Sequence, residues 1–550
     1  MNTTGLAAVR PFCAFASFSV MLSAIAVCSV PMRSANALDS AVRAEAGVEL
    51  DPAALAERID QHLAARWKAD KIEPAPAADD AEFLRRVYLD LAGKIPSVAE
   101  ARAFLDDRDP QKRRKLVDHL LDRATFPAHF GRTLRDLMAP GATNNLQLQF
   151  LMPQFEAWLR LRLAADTPYD KLVGELLTFS SGAAPNVRAN PFGGEPSPAV
   201  FYQFNEQRPE NLAASTARIF LGVQVECAQC HNHPFARWKR EEFWGFAAFF
   251  SAAGQQQNVF APVADSSDRR GIQIPGTTTT VEPRLLDGSP PAWESGATKR
   301  ATLARWLTAA ENPLFARATA NRLWWHFFGR GLVDPVDDMD EVNPPSHPEI
   351  LDELARQLVY HQFDVKFLIR TITATQAYQL SSQTTHASQD DPQQFARMPL
   401  RSMTADQLIE SLAQAAGLEP QPQNVRGAIV NPAGGRSQFM TRFADSGPSR
   451  TDYQATILQA LTLMNGQLIA DATSLTRSEN LQAIVEAPFL DTPGRIETLF
   501  LATLTRRPSP DELATMQAHV DGADSADGRK QALADVFWAL LNSAEFVLNH

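Results

Sequence analysis

The hydrophobic positions of this chain recur mostly at helical spacing. The segment 51–68 reads as one helix, and EPAPAADD follows it as a linker. In AEFLRRVYLDLAG, Phe83, Val87, Tyr88 and Leu91 fall on one face, and Gly93 and Pro96 end the helix. Ser97-Val98-Ala99-Glu100 predicts a capping box, in which hydroxyl and carboxylate each satisfy free amides at a helix start. KRRKLVDHLLDR, HFGRTLRDLMA, QFEAWLRLRLAA and YDKLVGELLTF continue the pattern. The Gly/Pro/Asn-rich stretch 181–198 reads as a surface loop. Helix returns over 209–226 and leads directly into a Cys/His cluster, after which KREEFWGFAAFF is an aromatic helix.

Residues 254–291 differ. β-branched residues stand between turn signals, which predicts a small strand-bearing insert. From Thr298 the chain is helical again, with loops at 331–346, 381–400 and 417–450. Ser346-His347-Pro348-Glu349 reads as a helix start with Ser346 as cap, and ADVFWALLNSAEFVL as a terminal helix too apolar to stand alone. The expected class is mainly α: a multi-helical two-domain protein with a small β-containing insert. Its segments are a signal peptide at 1–37, a helical domain at 50–250, the insert at 251–296 and a helical domain at 297–550.

The signal expectation comes from the first forty residues. Arg10 precedes a long apolar run over 11–30, and no acidic residue occurs before Asp39. Ala35-Asn36-Ala37 supplies small residues for cleavage, so the mature chain should start near Leu38. The rival is a retained membrane anchor. No later stretch is apolar enough to span a bilayer, so no stable membrane span is expected after cleavage. The expected location is the periplasm or cell surface.

Cleavage would leave 513 residues, enough for a large core. It would also remove Arg10 and Arg33, taking the formal charge from −11 to −13. An acidic chain without a basic tract argues against nucleic acid as a partner. Of the four cysteines, Cys13 and Cys28 leave with the signal, while Cys227 and Cys230 remain. Two cysteines three apart cannot form a disulfide framework.

FLRRVYLDLAGKIP and LGVQVECAQCHNHPFARW resemble a cytochrome-like domain family of planctomycetes and related bacteria, domain of unknown function fifteen-forty-nine. NRLWWHFFGRGLVDPVDDMDEVNPPSHPEILDELA and the ending ALLNSAEFVLNH resemble its companion, domain of unknown function fifteen-fifty-three. The resemblance implies an exported chain with the two domains in this order, and no function. Many relatives carry a further cytochrome c-like domain. This chain has no second CxxCH.

Cys227-Ala228-Gln229-Cys230-His231 is the signature of c-type haem attachment. Two thiols at this spacing add to the two vinyl groups of one haem, and the adjacent His231 reaches the iron. Phe235, Trp238, Phe243, Trp244, Phe246 and Phe249 would shield a porphyrin, or simply pack their helix. One alternative is zinc or another transition metal on Cys227, Cys230 and His233 with a remote ligand such as His326, in a periplasmic enzyme linked to polysaccharide breakdown. Another is a non-catalytic scaffold in which the CxxC closes a disulfide. Asp334, Asp337, Asp338, Asp340 and Glu341 form an acidic loop without the glycine-centred calcium-loop pattern. Hydrolase and nucleotide motifs are absent. The haem reading implies a periplasmic redox partner, and whether the protein is an enzyme stays open.

Overall fold

The computed structural model describes residues 48–142, 145–181, 195–232, 237–252, 262–418 and 457–550, with Phe439, Phe443 and Thr451. The signal expectation at 1–37 lies outside them, as do most of the 181–198 loop and the middle of the 417–450 loop. Within the described residues the protein is mainly α.

Helices form where the spacing predicts them. Asp51 caps Pro52–Asp70, which buries Leu55, Ile59, Leu63 and Trp67 at four-residue intervals. The capping box of Ser97 and Glu100 opens Val98–Asp106. Lys112–Asp122, Thr125–Met138, Met152–Ala164 and Tyr169–Thr178 follow. The helix Asp80–Leu91 departs from its expected single face, because every residue from Phe83 to Leu91 is buried. Its polar side, Arg85, Arg86 and Asp90, is enclosed by segments hundreds of residues away. Just past it, Gly93 turns at φ +71°, and a Cβ there would stand 2.3 Å from the His129 ring.

Two other expectations shift. The helix at 209–226 is Pro209–Thr216 continued by one π turn, Ala217–Leu221, and it stops at Gly222 with φ +69°. It therefore does not run into the Cys/His cluster. A left-handed residue is cheap only at glycine, so Gly222 sets this stop. Downstream, the helix Pro348–Tyr360 has His347 rather than Ser346 at its cap, without a side-chain capping bond. The Ser346 hydroxyl instead donates to the Leu332 carbonyl.

The predicted strands reduce to one short antiparallel pair, Ile272–Gln273 with Thr280–Val281. A second pair joins Arg401–Ser402 to Leu548–Asn549 near the end of the chain. From Glu49 to His550 the chain forms one compact unit. Its first apolar core draws on Leu55 through Met398, with Leu501 added from the C-terminal part, and includes Val263, Ile274, Leu285 and Leu286 from around the hairpin. The second is built on Met403 through Phe546 and takes Leu89 and Ile95 from the N-terminal part. Core membership thus changes near residue 400.

A charged hub lies where these cores meet. The Asp90 carboxylate accepts from the Tyr378 hydroxyl at 2.8 Å, Arg401 at 2.9 Å and Asn549 at 2.8 Å. Arg85 donates to the Thr503 and Phe546 carbonyls, and Arg86 to those of Tyr378 and His550. Asp90, Arg85, Arg86 and Arg401 are all at most 2% exposed. Such charges are tolerated inside a protein only when paired and hydrogen-bonded.

Candidate functional site

After Gly222 the chain runs through Val223–Val225 and enters a one-turn 3-10 helix, Glu226–Gln229. Three residues per turn align positions three apart. Val225 and Ala228 accordingly face the core, both fully buried, while Cys227 and Cys230 face solvent as free thiols. The turn is pinned from behind. Trp244 Nε1 donates to the Gln229 carbonyl at 3.0 Å, and the Arg240 amide donates to Asn232 Oδ1 at 3.0 Å.

His231 is exposed beside the thiols. Its Nδ1 lies 2.8 Å from its neighbour Asn232's carbonyl oxygen. A carbonyl only accepts, so Nδ1 carries a proton in this contact, and in the neutral ring Nε2 is the nitrogen with the lone pair. The aromatic residues do not surround the turn as a shield. Trp238, Phe243, Trp244, Phe246 and Phe249 are buried in the first core, and Phe235 lies outside the described residues. Phe246 packs against Phe249, Phe250 and Trp306, which is helix packing.

The remote ligand considered for the metal alternative is His326. His326 is buried, with Nε2 3.3 Å from the Asp90 carbonyl and its ring beside His129 and Phe130. It belongs to the surroundings of the charged hub. His233 lies outside the described residues. Among the described residues, no group of three or more His, Cys, Asp or Glu side chains is placed to hold a metal ion.

The acidic loop, in contrast, lies against the segment leading to the thiols. Asp337 accepts from Gln224 Nε2 at 3.1 Å and pairs with Arg218 at 3.6 Å. Arg218 also reaches Glu226, the residue before Cys227, at 4.0 Å. Partial burial pushes the Glu226 carboxyl up, and Arg218 draws it back. The Met339 amide donates to the Gly222 carbonyl at 2.7 Å. Both segments hang from the helix Pro313–Phe328. Asn321 bonds both the amide and the carbonyl of Val333, each at 2.9 Å, and Arg322 donates to the Arg218 carbonyl at 3.0 Å. Elsewhere in the loop Asp334 pairs with Arg330. The loop is thus a structural partner of the Cys/His turn rather than a free acidic surface. Sequence reading passed over Arg218, Gln224, Asn321 and Arg322. Polar residues inside the apolar runs ARIFLGVQV and NRLWW were the available signal.

A helical protein whose conspicuous surface chemistry is one CxxCH turn, braced by a distant acidic loop, defines the class. Residues 58–255 match PSCyt2, described as a protein of unknown function (DUF1549), and residues 299–442 match PSD1, described as a protein of unknown function (DUF1553). The chain belongs to the proteins that join these two families in this order. The thiols lie in the first match and the acidic loop in the second. No curated protein and no solved structure shows significant similarity to the chain.

Proposed function

We propose that this is an exported redox protein that carries haem c on Cys227 and Cys230, with His231 as the iron's protein ligand. The observation that carries the reading is the His231 hydrogen bond to Asn232. It fixes the tautomer whose Nε2 can bind a metal, next to two free, solvent-facing thiols. The residues present therefore fit the group. Haem would supply one-electron transfer. Cys227 and Cys230 would hold it covalently, and His231 would be oriented by Asn232.

Exposure of the turn suits exchange with a periplasmic redox partner, and the N-terminal segment supports export with a mature start near Leu38. No described helix is long and apolar enough to cross a membrane. Free, exposed thiols also favour a second reading, in which the CxxC closes a disulfide. Mass spectrometry of the peptide around residue 230 separates the two. The protein must come from a host that matures its other c-type cytochromes. Haem mass on the peptide supports the proposal, and free or disulfide-linked cysteines overturn it. N-terminal sequencing checks export, because retention of residues 1–37 in a membrane fraction would exclude a soluble exported form.

A further inference from the structure

We infer that Asp337 and Arg218 are positioning residues for the Cys227–His231 turn, so that the site is built from both family segments. The inference rests on the redox reading above, but its contacts stand independently of it. Three bonds join the acidic loop to the approach of the turn: Asp337 to Arg218, Asp337 to Gln224, and the Met339 amide to the Gly222 carbonyl. Met339 also closes the space beside Gly222, where an added Cβ would lie 3.1 Å from its sulfur.

The attachment points matter. Gly222 ends the preceding helix, and Glu226 opens the 3-10 turn. Between them lie only Val223, Gln224 and Val225, with two of these three buried. The approach is thus gripped at Gly222, at Gln224 and, through Arg218, at Glu226. Among the described residues the thiols themselves make no such bonds. Their direction is set by how this short approach is held, and the grip comes from a loop more than a hundred residues away. Asn321 and Arg322, adjacent on one helix, hold the two sides of the grip at a fixed spacing.

The pair also sets the charge beside the turn. Asp337 and Glu226 share the single guanidinium of Arg218. Removing the Asp337 charge leaves Arg218 less neutralised. A nearby carboxylate favours the more positive, oxidised form of a redox centre, so its loss should raise the midpoint potential.

The test uses the full chain matured with haem and compares the parent with Asp337→Asn, Asp337→Ala and Asp337→Glu. Asn keeps an acceptor for Gln224 but loses the charge, so its potential should rise with little change in thermal midpoint. Ala should also lower covalent haem yield, and Glu should restore both toward the parent. Unchanged potential and yield in Asp337→Ala would overturn the inference. A parent without covalent haem would defeat the redox reading alone. The grip is then read from alkylation of Cys227 and Cys230 in the unmodified protein. A change of about threefold or more in Asp337→Ala, at unaltered thermal midpoint, supports it. Equal rates defeat it.

Discussion

The Asp90 hub and the Cys227–His231 turn are both polar insertions into apolar sequence, and the structure treats them in opposite ways. Asp90 is 1% exposed and receives three side-chain donors from elements hundreds of residues apart. The turn exposes two thiols and an imidazole to solvent, while Ala228 within it and Val225 just before it make the core contact. A buried polar group without partners is costly, so the hub's geometry is over-determined by folding. A group left exposed with its chemistry unspent contributes little to folding and is available to react. Mutation should therefore separate the two regions, the hub through stability and the turn through chemistry.

The largest effect should come from truncation before Ala532. It removes the last ten residues of the helix Ala526–Leu541 and with them buried Val536, Phe537 and Leu540, each worth about 1.5–3 kcal/mol of burial. It also removes Asn549 and the Phe546 and His550 carbonyls that the hub uses. The expected product is insoluble. A soluble chain with a single cooperative unfolding transition would show that the hub survives without its C-terminal partners.

Asp90→Ala comes next. It strands Arg401 and leaves Tyr378 and Asn549 without their acceptor, so a loss of about 3–5 kcal/mol is expected in denaturant unfolding. The double variant Asp90→Leu with Arg401→Met should recover part of that loss. A cost under about 1 kcal/mol for Asp90→Ala would mean that water reaches the hub.

Acid gives an intermediate test. Burial, the leading cause, holds both His347 and His550 well below the ordinary histidine range, at about 4. The unfolded chain takes up these protons near pH 6.5. Stability from the two neutral rings is therefore complete above that value and is lost as pH falls toward 4, by about 2–3 kcal/mol per ring. Asp60, raised to about 6 by burial, works in the opposite direction and recovers some stability as it protonates. Denaturant midpoints between pH 7.5 and 4 should fall, and His347→Gln should make the fall shallower. A flat profile would remove the histidines from the stability balance.

The smallest stability effects belong to the turn. Cys227→Ala, Cys230→Ala and His231→Ala should each change unfolding free energy by no more than about 0.5 kcal/mol, because the side chains are exposed. Their chemical effects should differ. Either cysteine variant should weaken covalent haem retention, and His231→Ala should disturb the iron spectrum and potential most directly. His233→Ala should matter less. A zinc site would invert the order, with His233 essential and His231 spared. A disulfide would make both histidines dispensable.

The sequence by itself determined features whose causes lie within about four residues. Helix spacing, the Ser97–Glu100 capping box and the Asp51 end of the first helix are of this kind, as is the grouping of Cys227, Cys230 and His231 on one turn. Hydrogen bonds between neighbouring residues enforce these wherever the chain goes. The His347 cap marks the limit of that reading. Ser346 had the right local pattern, but its hydroxyl was taken by Leu332, fourteen residues away. Only the tertiary structure decided that Arg85, Arg86 and Asp90 would be buried and that core membership would change near residue 400. It also decided that His326 would sit by the hub and that the acidic loop would grip the approach to the thiols. These depend on partners brought together across the chain. A charge reads as solvent-facing in sequence until the fold supplies a counter-charge and donors to enclose it, and periodicity carries no record of that pairing.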